Sequence, residues 1–303
     1  MKILLLGKNG QVGWELQRAL QPLGDVIALD RHIDSLTGLC GDVTNFDAIS
    51  TAIAQIQPNI VVNATAYTAV DQAESDVEQA DLINHLAVKH LAMQCHKHQA
   101  LLVHYSTDYV FSGEGTTAWQ EDDQTAPIGV YAQTKRAGEV AIEQSNVDFL
   151  NFRTCWVYAS RGHNFIKTML KLAQSREELN IIADQIGVPT GAALIADVTA
   201  QALRFYLLQS REAQQQLHGH YHLAPQGETS WYEYAQFIFA SVQQKGQDLL
   251  VKQVNPIATT AYPTPAKRPL NSRLNTHKLQ HNFQLHLPDW KVGVTQALEE
   301  IIQ

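Results

Sequence analysis

The stretch KILLLGKNGQVGWELQRAL, residues 2–20, constrains this chain more than any other. A short apolar run ends at Gly7, and apolar residues then recur at Val12, Leu16 and Leu20, the spacing of one helix face, before Pro22 and Gly24 close the pattern. A buried strand that turns straight into a helix through glycines begins a βαβ unit. Gly7, Gly10 and Gly13 are spaced G-x-x-G-x-x-G, whereas the common dinucleotide fingerprint is G-x-G-x-x-G. The physics is shared: glycines allow a tight turn and close backbone approach, and the helix N-terminus aims free N–H groups at a pyrophosphate.

The same rhythm continues for about 155 residues. DVIALD, PNIVVNATA, ALLVHYST and DFLNFRTCWVY read as strands, and NFDAISTAIAQIQ, EQADLINHLAVKHLAMQCHKHQ and VYAQTKRAGEVAIEQS as helices, with Asn45 as an N-cap. The expected fold is α/β, a Rossmann-like doubly wound parallel sheet, with a smaller mixed α/β substrate-binding lobe after it. Residues 1–158 form the nucleotide-binding half and 159–303 the lobe, across a soft boundary that some later segments recross. NPIATTAYPTPAKRPLNSRLN has no period and reads as a long functional loop.

The second strand ends in Asp30, placed to accept hydrogen bonds from a ribose diol, which favours NADH. Arg31 beside it suits the 2′-phosphate of NADPH, and both cofactors stay open. Asp42 and Val43 either meet the adenine or form a simple capped turn.

Composition narrows the partners. A formal charge of −8 disfavours a polyanion, so no nucleic acid is expected. No apolar stretch approaches the ~18 residues of a membrane span, and MKILLLGKNG lacks the length and cleavage site of a signal peptide. Cys40, Cys95 and Cys155 are scattered and odd in number, which points to a reducing, cytoplasmic setting. His218, His220 and His222 alternate in HGHYH, and read as a short strand with polar side chains showing rather than as a metal site.

In YAQTK, Tyr131 and Lys135 stand four residues apart and share a helix face. An ammonium beside a phenol lowers its pKa and prepares it to give a proton to a substrate oxygen. Ser106 and Thr107 close the fourth strand, where an active-site hydroxyl would sit.

This order of glycine turn, strand-end Ser/Thr and Y-x-x-x-K resembles the extended short-chain dehydrogenase/reductase superfamily. HYSTDYVFSG, FRTCWVYA, NFIKTML, DQIGVPTGA, YPTPAKRPLNSRLNT and LPDWKVGV are similar to the dTDP-4-dehydrorhamnose reductase family from end to end. The resemblance implies NADPH- or NADH-dependent reduction of the 4-keto group of a dTDP-sugar. It implies that Gly10, Gln11 and Val12 line the pyrophosphate, with Ala66, Tyr67, Thr68 and Tyr105 along the cofactor. Tyr131, Lys135 and Thr107 would be catalytic, and Lys135 would also hold the nicotinamide ribose. Thr107, Asp108, Trp156, Asn164, Arg268, Asn271 and Arg273 would meet the substrate.

Some relatives are dimers bridged by a magnesium ion held by glutamates. Glu15 matches one ligand, but Ala193 stands where another glutamate is expected, and Glu15 with Glu299 is a thin donor set. A monomer and a weak homodimer both stay open. A 4,6-dehydratase or epimerase shares the fold, but a dehydratase reads Thr-Asp-Glu where this chain reads Thr107-Asp108-Tyr109. A non-catalytic regulatory subunit of the same fold would lack the Tyr, Lys or Thr, and all three are present.

Overall fold

A computed structural model describes residues 1–302. Its first half follows the alternation. Strand β1 (Lys2–Leu6) leads to helix α1 (Gln11–Ala19), β2 (Asp25–Leu29), α2 (Phe46–Ile56) and β3 (Ile60–Asn63). Two short helices, α3 (Val70–Ala73) and α4 (Val77–Asp81), precede α5 (Ala87–Lys97), β4 (Leu101–Thr107), α6 (Val130–Glu143) and β5 (Phe149–Thr154). Then come β6 (Val157–Tyr158), α7 (Phe165–Ala173), β7 (Glu178–Ile182), β8 (Ile186–Gly187), β9 (Thr190–Gly191), α8 (Ala192–Leu207), α9 (Arg211–Gln216) and β10 (Gly219–His222). The chain closes with β11 (Thr229–Ser230), α10 (Trp231–Gln244), β12 (Gln253–Ile257), α11 (His277–Phe283) and α12 (Trp290–Ile302).

Six parallel strands form the main sheet in the order β10-β5-β4-β3-β1-β2. Ile3–Leu6 are wholly buried because both faces of a central parallel strand are covered. Ile3 and Leu5 pack with Leu16, Ile195 and Leu203 on the side of α1 and α8. Leu4 and Leu6 pack with Ile53, Leu91 and Ile142 on the side of α2, α5 and α6. Strand order reverses between β1 and β3, and ligands of open α/β sheets bind outside the carboxyl ends of strands at such a point.

β10 pairs with β5, and α8 packs on α1, so segments beyond residue 158 lie on the first sheet. A further buried cluster gathers Ile166, Leu179, Ile238 and Leu298 with Cys155 and Tyr158. Among the described residues no helix is long and apolar enough to cross a membrane.

Four local expectations change. The long helix expected from residue 78 is broken by a π turn at Leu82–Leu86. There buried Asn84 donates to Tyr67 O and Thr134 Oγ1, so a side-chain demand on the backbone unwinds the helix. The strand expected to run through residue 158 stops at Thr154, because Trp156 turns left-handed at φ 48°. The loop after residue 255 starts as strand, since β12 pairs in parallel with β7. In HGHYH, His222 is fully buried, with its ring edge against Phe111. The three histidines bond separate partners: His218 pairs with Tyr206, His220 with Glu143, and His222 with Asn275 O.

Candidate active site

Two joined cavities follow the carboxyl ends of β1 and β3, one of about 500 Å3 and one of about 420 Å3. Gly10 and residues 64–66 wall both, so they form the waist of one long cleft. Gly10 caps α1 with no side chain over its first N–H groups, which leaves them to an anion. Gln11 and Val12, the first turn of α1, line the larger cavity. Gly7 sits at φ +89°, and a Cβ at Gly13 would lie 2.0 Å from Gly7 O. Gly13→Ala is therefore expected to push α1 off β1, with a cost of about 1–3 kcal/mol and weakened cofactor binding. Chemical denaturation and a cofactor titration check both effects.

Gly7, Asp30, Arg31, Asp42 and Val43 all line the smaller cavity. Asp30 accepts Asn9 Nδ2–H at 2.6 Å and the His32 N–H at 2.8 Å, which fixes its carboxylate at the rim. Asp42 Oδ1 accepts both the N–H and the hydroxyl of Thr44, so it is a turn cap and part of the wall at once. Ala66 and Thr68 line the larger cavity. Tyr67 does not: its hydroxyl donates to Asp76 Oδ2 at 3.0 Å and its N–H to Asn84 Oδ1 at 2.9 Å. Its side chain thus turns away from the larger cavity, while its neighbours Ala66 and Thr68 face it.

At the other end β4 delivers Tyr105 and Thr107, the turn that follows it delivers Asp108, and α6 delivers Tyr131 and Lys135, all onto the wall of the larger cavity. Tyr105 Oη lies 2.9 Å from Thr199 Oγ1, and Thr199 spends its own hydrogen on Ile195 O, so Tyr105 is the donor. Lys135 is almost wholly buried, and Nζ donates to Tyr105 O at 2.6 Å. Burial holds Lys135 down to about 8, with Glu139 opposing.

Lys135 does not lower the Tyr131 phenol, contrary to expectation. Burial pushes that phenol up to about 12; the nearby Thr107 hydroxyl opposes this and Asp108 adds to it. Tyr131 is thus a neutral donor across the physiological range. Thr107 donates to Asp108 Oδ1 at 3.1 Å and accepts the Tyr109 N–H at 3.2 Å. Within the chain its one hydrogen goes to Asp108. Burial pushes Asp108 up to about 7, against hydrogen bonds from Ser272 and Thr107.

The far wall carries Trp156 stacked on Trp231, with ring centroids 3.6 Å apart and planes at 17°. A Cβ at Gly187 would come within 2.8 Å of the Trp156 ring, so β8 passes close behind it. Trp231 Nε1–H donates to Gln185 Oε1 at 3.1 Å. Sequence reasoning missed Trp231. Its only local signal is a capping box, Ser230 with Glu233, and that marks a helix start rather than a site.

Arg268 lines the cleft, with Nη2 2.7 Å from Asp71 Oδ2. Three further substrate candidates do not form its wall. Arg273 pairs with Glu228 at 2.6 Å. Asn271, nearly wholly buried, donates to Glu114 O and Thr117 O and accepts from Arg273. Asn164 caps α7 and donates to Ala159 O, and reaches the glycine turn only through Gln11 Oε1 at 3.1 Å. Each is occupied in bracing the chain.

A dinucleotide fits these residues. The glycine cradle leaves no room for side chains, uncapped amides face the waist, and a buried amine and a phenol share the far cavity. These residues do not support a magnesium ion bridging glutamates within the chain. Glu15 lines a separate cavity of about 310 Å3 with Ala193 and Glu300, while Glu299 pairs with Lys245. Among the described residues, Glu15 belongs to no group of three side chains placed to hold a metal.

Comparison with known proteins identifies the family. The family model for the RmlD substrate binding domain matches residues 1–303. The chain is 52% identical to the dTDP-4-dehydrorhamnose reductase of Escherichia coli (strain K12), over 99% of this chain and 98% of that one. A dTDP-4-dehydrorhamnose reductase crystal structure from Clostridium acetobutylicum superposes with a TM-score of 0.88 at 33% identity, with both chains covered in full. The enzyme from Bacillus anthracis, solved in complex with NADP, superposes at 0.87 with 32% identity over 99% of each chain. With its glycine turn, its buried lysine and its phenol in one cleft, the chain belongs to the dTDP-4-dehydrorhamnose reductase family.

Proposed function

We propose that the chain reduces the 4-keto group of dTDP-4-dehydro-β-L-rhamnose to give dTDP-β-L-rhamnose, with NADPH or NADH as the reductant. The observation that carries this reading is the meeting of Tyr131, Lys135 and Thr107 in the cleft that the glycine turn opens. A dihydronicotinamide bound there supplies hydride to the sugar C4. The chain's own work is to hold and protonate. Tyr131 gives its proton to the oxygen that gains charge, as general acid. Thr107 and Asp108 fix the hydroxyl side of that phenol, and Lys135 anchors the ribose side of the cofactor.

Arg268 suits the diphosphate because its planar fork pairs with phosphate oxygens, and the paired indoles of Trp156 and Trp231 offer the sugar an apolar wall. Tyr109 favours reduction over dehydration. It stands where a dehydratase carries a second carboxylate, and its ring meets that of Tyr131 edge-on at 5.8 Å. Every assigned group lies in one chain, so the reading needs no partner subunit. All three cysteines are free, in keeping with a cytoplasmic setting.

Turnover with dTDP-4-dehydrorhamnose, run with NADPH and with NADH and followed by product identification, tests the proposal. Stoichiometric oxidation of one or both cofactors with formation of dTDP-rhamnose is expected. No oxidation of either, with folded protein and authentic substrate, overturns it.

A further inference from the structure

Behind Lys135, on the side away from the cleft opening, lies a buried pair that the mechanism above does not use. His104 on β4 is wholly buried, with Nε2 3.3 Å from Lys135 Nζ and Nδ1 3.2 Å from Asn63 Nδ2. Asn63 cannot turn over freely. Its Oδ1 accepts the Thr65 backbone N–H at 3.1 Å and the Thr65 hydroxyl at 2.6 Å, and a backbone donor has no alternative role. The Asn63 amide nitrogen therefore faces His104 and donates to Nδ1. Burial keeps His104 neutral, so the ring carries one hydrogen. With Nδ1 accepting, that hydrogen sits on Nε2 and points at Lys135. An ammonium has no lone pair to receive it, whereas an amine does, and can still donate to Tyr105 O.

We propose that Asn63 and His104 are positioning residues that fix the Nε2–H tautomer, donate a hydrogen bond to Lys135 and thereby favour its amine form. Lys135 then works as a group that exchanges protons rather than as a permanent cation. The other groups around it act in both directions. Glu139, one turn further along α6, favours the ammonium, and Arg153 and His220 behind Glu139 temper that effect. Tyr131, one turn before Lys135, holds its proton and adds no charge. The proposal rests on Lys135 serving the site, but its test does not depend on turnover.

Nitrogen-15 NMR of histidine-labelled protein reads the tautomer directly. A protonated Nε2 with a bare Nδ1 at His104 is expected, and a protonated Nδ1 overturns the proposal. The second arm measures the pKa of Lys135 in the wild type and in His104→Phe, from the pH dependence of its labelling by an amine reagent. If His104 donates, its removal destabilises the amine, and the lysine pKa rises by about one pH unit. A fall means that His104 accepts from an ammonium, and no change means that the contact is idle; either result overturns the proposal. Asn63→Asp supplies only acceptors and should reverse the tautomer, giving an upward shift with His104 retained. Failure of the keto-sugar assay with the expected tautomer intact would count against the substrate reading alone.

Discussion

Tyr131→Phe is expected to lower kcat by about 10²–10⁴-fold, the usual weight of general acid catalysis, or about 3–5 kcal/mol of barrier. The variant loses one oxygen. Its ring keeps the edge-on packing against Tyr109, and Lys135 keeps its bond to Tyr105 O, so folding and cofactor affinity should stay close to wild type. Because the phenol holds its proton to about 12, its ionisation does not shape the rate near neutrality. An alkaline fall near pH 8 belongs to Lys135, which burial holds down to about 8, and a limb near pH 7 to Asp108. Stopped-flow turnover, with cofactor Kd measured alongside, separates these effects. A folded Phe variant at wild-type kcat would remove Tyr131 from the chemistry.

Much of the fold was legible in residues 1–158 because parallel strands buried on both faces leave continuous apolar runs, and helices between them keep a 3.6-residue period. Ile3–Leu6 and the Val12, Leu16, Leu20 row are of this kind. The illegible parts are set by contacts distant in sequence. Nothing near Leu82–Leu86 announces a π turn, which follows from Asn84 reaching Tyr67 and Thr134. Nothing local ends β5 at Thr154 either: Trp156 turns back to stack on Trp231, seventy-five residues on.

The site divides in the same way. Gly7, Gly13, Tyr131 and Lys135 could be placed because backbone sterics and helix periodicity assign them by position alone. Charges and hydrogen bonds could not, since they depend on which neighbours arrive. Tyr67 turns to Asp76, Arg273 to Glu228, and the Thr107 hydrogen to Asp108. Spacing brought Lys135 to the face of Tyr131, but the folded chain gives its Nζ to a backbone carbonyl instead.

The largest effect on stability is expected at Glu139, one turn beyond Lys135. Glu139 and Arg153 are both almost wholly buried and meet through two hydrogen bonds of 2.9 Å. Removing one partner of such a pair leaves an uncompensated buried charge, so Glu139→Ala should cost about 3–5 kcal/mol. Urea unfolding measures this, and a midpoint equal to wild type would show that the Arg153 charge finds other partners. Replacing both residues with apolar ones of similar size should recover much of the loss. Burial pushes the Glu139 carboxyl up, but Arg153 outweighs it and the net shift is downward from 4.5. The folded state therefore binds this proton less readily than the unfolded state. The pair's contribution is complete above about pH 5 and fades as pH falls below 4.5 toward the lower folded value. Wild-type stability should accordingly drop in acid more steeply than that of the double apolar variant. If the two acid profiles coincide, the pair is not what ties this fold to pH.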